Sequence, residues 1–278
     1  MSTNINFGKK LGISGGTAIS LPSSTPSYEN EYSFQFDGVD EYIQTDSTYS
    51  ELDGQSKMTL SMWVKLDNVS SFRIFASVTR DATLNNFVFM LCQVNAGLRF
   101  FTDSTGLYTY TNQVLIAGAW THILVCLDKT QGATADKCRI FINGQNEVSS
   151  NNQGSNPLQI SNAPLYIGEN QNGKYSPFLG NIDEVAIWSG TDLRSDVSTI
   201  YNTGVPNNLN DNGLTVPTTW FRMGEEATFD GIRDWNLVDQ GTGGNDATSQ
   251  NIADSERVTD VPPTFNTKSI ELDGIDDS

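Results

Sequence analysis

His122 is the only histidine in the chain, and that count removes most nucleophilic chemistry. A serine or cysteine triad needs an imidazole beside its nucleophile; His122 follows Trp120 in an apolar run, where a structural role is expected. Cys92, Cys126 and Cys138 form an odd set without metal-ligand spacing, and Cys92 and Cys126 lie in apolar runs, so they read as buried free thiols. Gly241-Thr242-Gly243-Gly244 lacks the Lys-Ser/Thr that would follow in a phosphate loop. Carboxylates remain: 33 Asp and Glu against 16 Lys and Arg, a formal net charge of −17. Each phosphate contact needs a cation, so this balance excludes non-specific nucleic-acid binding and makes cations the natural counterparts. The excess concentrates in residues 205–278, with 14 acidic side chains to 4 basic.

The elements that must position these groups are short strands. In Ser33-Phe34-Gln35-Phe36-Asp37-Gly38-Val39-Asp40-Glu41-Tyr42-Ile43, Phe34 and Phe36 share one face, and Asp37-Gly38 supplies the pair that accepts positive φ at a tight turn. Residues 58–66 alternate Met58, Leu60, Met62 and Val64 against Thr59, Ser61, Trp63 and Lys65, which predicts a half-buried strand with Trp63 on its polar face. Further strands are expected at 74–78, 87–94, 98–102, 120–128, 138–145, 165–168 and 181–188, with Asn143-Gly144 the strongest hairpin signal. Ten or so short strands with polar turns imply two packed antiparallel sheets. One short helix is expected over 196–202, capped by Ser195, with Val197, Ile200 and Tyr201 on one face and Gly204 at its stop.

Three segments follow. Residues 1–30, Gly-, Pro- and Ser-rich, read as an extended arm; 31–205 as the sandwich; and 206–278 as an acidic extension partly laid against it. Near its end, Ser269-Ile270-Glu271-Leu272-Asp273-Gly274-Ile275-Asp276-Asp277 repeats the opening motif. That copy, 269–277, is too short for a second sandwich and is expected to lend a strand to an open edge, in its own subunit or a neighbour. The start, Met1-Ser2-Thr3-Asn4, has no basic patch followed by an apolar run, and no stretch approaches the length of a membrane span. A chain made and folded in a cytoplasm, without membrane insertion, is expected.

Six motifs in order, Phe-Asp-Gly-Val-Asp-Glu-Tyr-Ile (36–43), Met-Thr-Leu-Ser-Met-Trp-Val-Lys (58–65), Trp-Thr-His-Ile (120–123), Arg-Ile-Phe-Ile-Asn-Gly (139–144), Leu-Tyr-Ile-Gly (165–168) and Gly-Asn-Ile-Asp-Glu-Val-Ala-Ile-Trp (180–188), resemble the laminin-G-like domains of the concanavalin A-like lectin and glucanase superfamily. The resemblance covers roughly residues 31–205 and implies an all-β fold: an antiparallel jelly-roll β-sandwich with one short C-terminal helix and flanking arms. Trp220-Phe221-Arg222-Met223-Gly224-Glu225, with Asp239-x-Gly241 and Gly243-Gly244-Asn245-Asp246-Ala247, looks like the connector before a further repeat in multi-repeat relatives.

The resemblance also implies a structural calcium between the first strand turn and the last strand, at Asp37 or Asp40 with Asp183. Superfamily glucanases carry a Glu-x-Asp-x-x-Glu strand; here the nearest string is Glu271-Leu272-Asp273-Gly274-Ile275-Asp276, which ends in the wrong residue, and Glu184 has no partner at the needed spacing. No enzyme is expected. Sugars stack on exposed aromatics and hydrogen-bond to polar side chains, which makes Trp63, Tyr108, Tyr110, Tyr175 and Asn170 the candidate carbohydrate contacts. The favoured reading is a non-enzymatic structural or adhesive protein, a phage virion fibre, collar or capsid decoration, with glycan binding as an added role. In that reading it is a homo-oligomer and meets other virion or surface proteins through its arm and extension. The alternative is a secreted or cell-surface lectin module, and a glycoside hydrolase ranks third.

Overall fold

A computed structural model describes residues 28–79, 87–102, 108–112, 115–159, 163–170 and 176–264. The first arm up to residue 27, Tyr175 and the motif copy at 269–277 lie outside the described residues. Strands run in chain order as β1 (Ser33–Asp37), β2 (Tyr42–Thr45), β3 (Lys57–Leu66), β4 (Arg73–Thr79), β5 (Phe87–Val94), β6 (Gly97–Phe101), β7 (Tyr108–Thr111), β8 (Trp120–Asp128), β9 (Cys138–Ile142), β10 (Gln145–Asn146), β11 (Val148–Asn151), β12 (Leu165–Ile167) and β13 (Leu179–Ser189). The helix α1 (Val197–Tyr201) follows, and then β14 (Thr219–Phe221), β15 (Met223–Glu226), β16 (Thr228–Phe229), β17 (Trp235–Leu237), β18 (Ala247–Gln250) and β19 (Arg257–Val258).

Two antiparallel sheets form the sandwich. Sheet A has the order β10-β9-β8-β3-β13-β1-β19, with β14 also on β13, and sheet B the order β11-β7-β6-β5-β4-β12-β2-β18-β17-β16. Alternation sets the inner faces: Leu60, Met62 and Val64 of β3 and Ile123 and Val125 of β8 meet Ile43, Phe89, Leu91, Phe100 and Ile167 of sheet B in one core. At the β9–β10 hairpin Asn143 and Gly144 have φ of 50° and 78°, the two positive values that a two-residue turn of this hand requires.

Two expectations are corrected. The strand over 58–66 is buried on both faces, because α1 and the segments on either side of it cover the outer face of sheet A with Leu193, Val197, Ile200 and Leu209, beside Trp220 of β14. The helix is also shorter than expected, and Ser195 does not cap it: its hydroxyl bonds the Asp196 carboxylate, and Asn202 ends the helix in the left-handed conformation.

The segment after 205 is part of the sandwich. β18 pairs with β2 and β17 with β18, so the extension widens sheet B, and Trp235, Leu237 and Ala247 enter the main core. β14 takes the half of the β13 edge that β1 leaves free: β1 pairs with residues 179–182 and β14 with 185–187. Residue 205 therefore marks a connector within the fold, and the Trp220–Glu225 string supplies two strands where a link to another repeat was expected.

Candidate functional site

The expected calcium set is not brought together. Asp37 pairs with Leu179, whereas Asp183 lies four residues further along β13, about 13 Å away at strand rise. Asp37 instead shapes its turn, its Oδ1 accepting the Val39 amide at 2.7 Å while Gly38 takes φ of 77°. Asp40 is exposed in the same turn. The antiparallel register separates these residues; sequence order could not show it.

Trp63 is no exposed platform. It is 4% accessible and packs on Tyr201 (6.1 Å between ring centroids) and His122 (5.0 Å), beneath α1 and its continuation. His122 is buried as well, and its Nε2 meets Ser61 Oγ at 2.9 Å.

Tyr108 and Tyr110 lie on the outer face of sheet B, the face opposite to Trp63. Register places Tyr108, Phe101, Met90, Ser77, Tyr166, Gln44, Thr248 and Asn236 side by side across eight strands. At strand spacing the row spans roughly 30 Å. Tyr108 at one end is half-buried, Asn236 at the other is exposed, and Met90, Ser77 and Tyr166 in its middle are buried. Tyr110, Arg99 and Cys92 form the neighbouring row, with the Arg99 guanidinium 5.1 Å from the Tyr108 ring centre, and Tyr42 packs beside Tyr166 at 5.9 Å. Asn170 is buried just past β12, where Ser77 Oγ donates to the Glu169 carbonyl at 3.0 Å and ties the loop to the row.

A second constellation was not visible in the sequence. Between β1 and β14 the strand β13 bulges, with Glu184 at φ of 51°, and ligand-capable oxygens of Asp183, Glu184 and Glu225 lie within 4.8 Å of one another. Glu184 Oε2 accepts the Trp220 indole N–H at 2.6 Å, and Oε1 accepts the Tyr28 hydroxyl and Arg222 Nε at 3.3 Å. Asn30 Nδ2 donates to Asp183 Oδ2 at 2.8 Å, and Glu225 Oε1 accepts the amides of Glu31 (2.5 Å) and Tyr32 (2.9 Å). Burial pushes the Asp183 carboxyl well above the usual carboxylate range, and Glu184 up to about 7 despite Arg222 and its hydrogen bonds. Asn30, Asp183 and Glu225 are the residues whose oxygens could hold a cation. Their partnership joins positions about 30, 184 and 225, and no local signal foretells it.

Fold and surface together define a lectin-type jelly roll, two antiparallel sheets with a polar and aromatic outer face. The chain belongs to the concanavalin A-like lectin/glucanases superfamily, whose laminin G type family model matches residues 37–198. Among solved structures it is similar to a candidate carbohydrate-binding protein from Bacteroides ovatus, with 16% identity and a TM-score of 0.54. That alignment covers 86% of this chain and 63% of the other, so this chain spans less than two thirds of that relative's length. It is also similar to a heptameric SAP-like pentraxin from Limulus polyphemus (15% identity, TM-score 0.48, 62% of this chain and 82% of that one). A third likeness is to domains LG4-5 of the mouse laminin α1 chain (10%, 0.41, 57% and 41%). No curated protein matches the sequence.

Proposed function

We propose that this is a non-enzymatic adhesive protein that binds carbohydrate along the outer face of sheet B. The observation that carries the reading is the eight-strand row, with the half-buried rings of Tyr108 and Phe101 at one end, the polar Gln44, Thr248 and Asn236 at the other, and Met90, Ser77 and Tyr166 buried between them. Aromatic faces stack on sugar rings, and amides and hydroxyls further along the row meet their hydroxyl groups. A row of roughly 30 Å suits an extended oligosaccharide better than a single sugar. Among the described residues, Asp183 and Glu184 of the carboxyls that lie within 4.8 Å of one another are buried, and both Glu184 oxygens have donors, which supports binding over hydrolysis.

A glycan array with the full chain tests this. Binding is expected to at least one extended glycan, weakened roughly tenfold, about 1.4 kcal/mol, by Tyr108→Ala with Tyr110→Ala. A blank array, or binding indifferent to both changes, overturns it. The expected virion residence belongs to the same proposal. It is tested by immunogold labelling of purified particles, where absence of label removes it, and the expected homo-oligomer by light scattering.

A further inference from the structure

The outer face of sheet B is electrically uneven. Strands β4, β5, β6, β7 and β11, neighbours on one side of the sheet, contain no Asp or Glu, in a chain that carries 33 of them. Leu98 and Phe100 of β6 enter the core, so Arg99 between them points outward. It stands in register with Tyr110 on one side and Cys92 on the other, its guanidinium 5.1 Å from the centre of the Tyr108 ring. Phe101 and Tyr110 pack on Tyr108 at 5.0 and 5.9 Å. Among the described residues Arg99 belongs to no ion pair. Cys92 does not balance its charge either: burial pushes that thiol up to about 12, so it stays protonated. Toward the other end of the row the sign reverses, where burial and then the carboxylates of Glu169, Asp234 and Asp40 raise the Tyr42 hydroxyl.

We infer that Arg99 reads an acidic sugar, the carboxylate or sulfate at one end of an otherwise neutral oligosaccharide whose charged end lies over β6 and β7. The inference rests on the glycan-binding reading of this face and adds the ligand class. A guanidinium without a carboxylate partner presents its N–H groups as a planar fork, which can hold an oxyanion through two parallel hydrogen bonds. The Tyr108 ring holds that fork in place before a ligand arrives, so little side-chain freedom is lost on binding. Half-burial of Arg99 among three rings strengthens the attraction over that of a fully solvated pair. A densely charged chain does not fit, because Glu169, Asp234 and Asp40 near the far end repel further acidic sugars. The same polarity fixes the direction of the bound chain: acidic sugar beside Arg99, neutral sugars toward Gln44 and Thr248 of β2 and β18.

The test presents the full chain with one set of extended oligosaccharides in three matched forms: neutral, ended by a uronic acid, and ended by a sulfate ester. At least one acid-ended form should bind roughly tenfold or more tighter than its neutral counterpart, and the form preferred tells carboxylate from sulfate. Arg99→Gln should bring the acid-to-neutral affinity ratio to about one. Arg99→Lys, which keeps the charge and loses the fork, should leave a ratio between the two, and it carries the test if Arg99→Gln does not fold. Arg233→Gln, in the β16–β17 hairpin at the opposite edge of the sheet, should leave the ratio unchanged. Acid-ended forms that bind no tighter than neutral ones overturn the inference, as does a preference that both Arg99 variants keep in full. If in those cases the neutral forms still bind and depend on Tyr108 and Tyr110, the glycan-binding reading of the face stands without it. No binding of any form overturns both.

Discussion

His122 shows what a buried polar side chain costs and how it is kept. Burial lowers its pKa from 6.5 to about 3, so the ring stays neutral between Trp63 and Tyr201 with Ser61 on Nε2. Because the unfolded chain takes up the proton first, the stability this ring contributes is complete above its unfolded value and is lost as pH falls from 6.5 toward 3. His122→Gln should therefore flatten the acid limb of a urea-midpoint profile between pH 7 and 4; an unchanged limb would remove His122 as its cause. Trp63→Ala should cost about 3 to 5 kcal/mol by leaving a void under Tyr201. It should cost no selective loss of glycan binding in the variant that remains folded, as read by denaturation and array together.

Among the elements, β13 carries most of the architecture. It is flanked by β3 along its whole length and by β1 and β14 in turn on its other edge. Gly180 makes the first half possible: at φ of 131° a Cβ would stand 2.1 Å from the Lys65 carbonyl oxygen. Gly180→Ala should destabilise by about 2 to 4 kcal/mol in chemical denaturation, and a neutral result would contradict the register. Strands β3, β8, β9 and β13 were legible because each has four or more patterned positions or a hairpin signal next to it. The strands after 205 were not, because runs of two to four residues carry no measurable alternation; β14, β17 and β18 are strands by virtue of the edges that receive them. A chain ending at 205 should consequently lose Phe221, Met223, Trp235, Leu237 and Ala247 from the core and aggregate through the bared β2 and β13 edges. Dye binding to exposed apolar surface, with loss of a cooperative melt, is the expected readout.

For the whole molecule, pH acts on a chain of net charge −17 that also buries carboxyls. Burial raises Glu41 to about 8, with the neighbouring Glu256 adding to the shift. A raised carboxyl contributes stability that is present below its unfolded value of 4.5 and is lost as pH climbs through 8. Glu41→Gln should match the native protein near pH 4 and exceed it at pH 8, by on the order of 1 kcal/mol in metal-free buffer.

Taken alone, the sequence determines the class of fold, the inner faces of the longer strands, the turns at Gly38 and Gly144, and the inert placement of His122 and the three buried thiols. Those follow from two-residue periodicity and from residues that tolerate positive φ, and both are local properties. The tertiary structure alone decided which polar groups meet. It parted Asp37 from Asp183, hid Trp63 while aligning Tyr108 with Tyr166, and closed Asn30, Asp183 and Glu225 into one cluster. Such meetings depend on strand register and on long chain closures, to which no local pattern is sensitive.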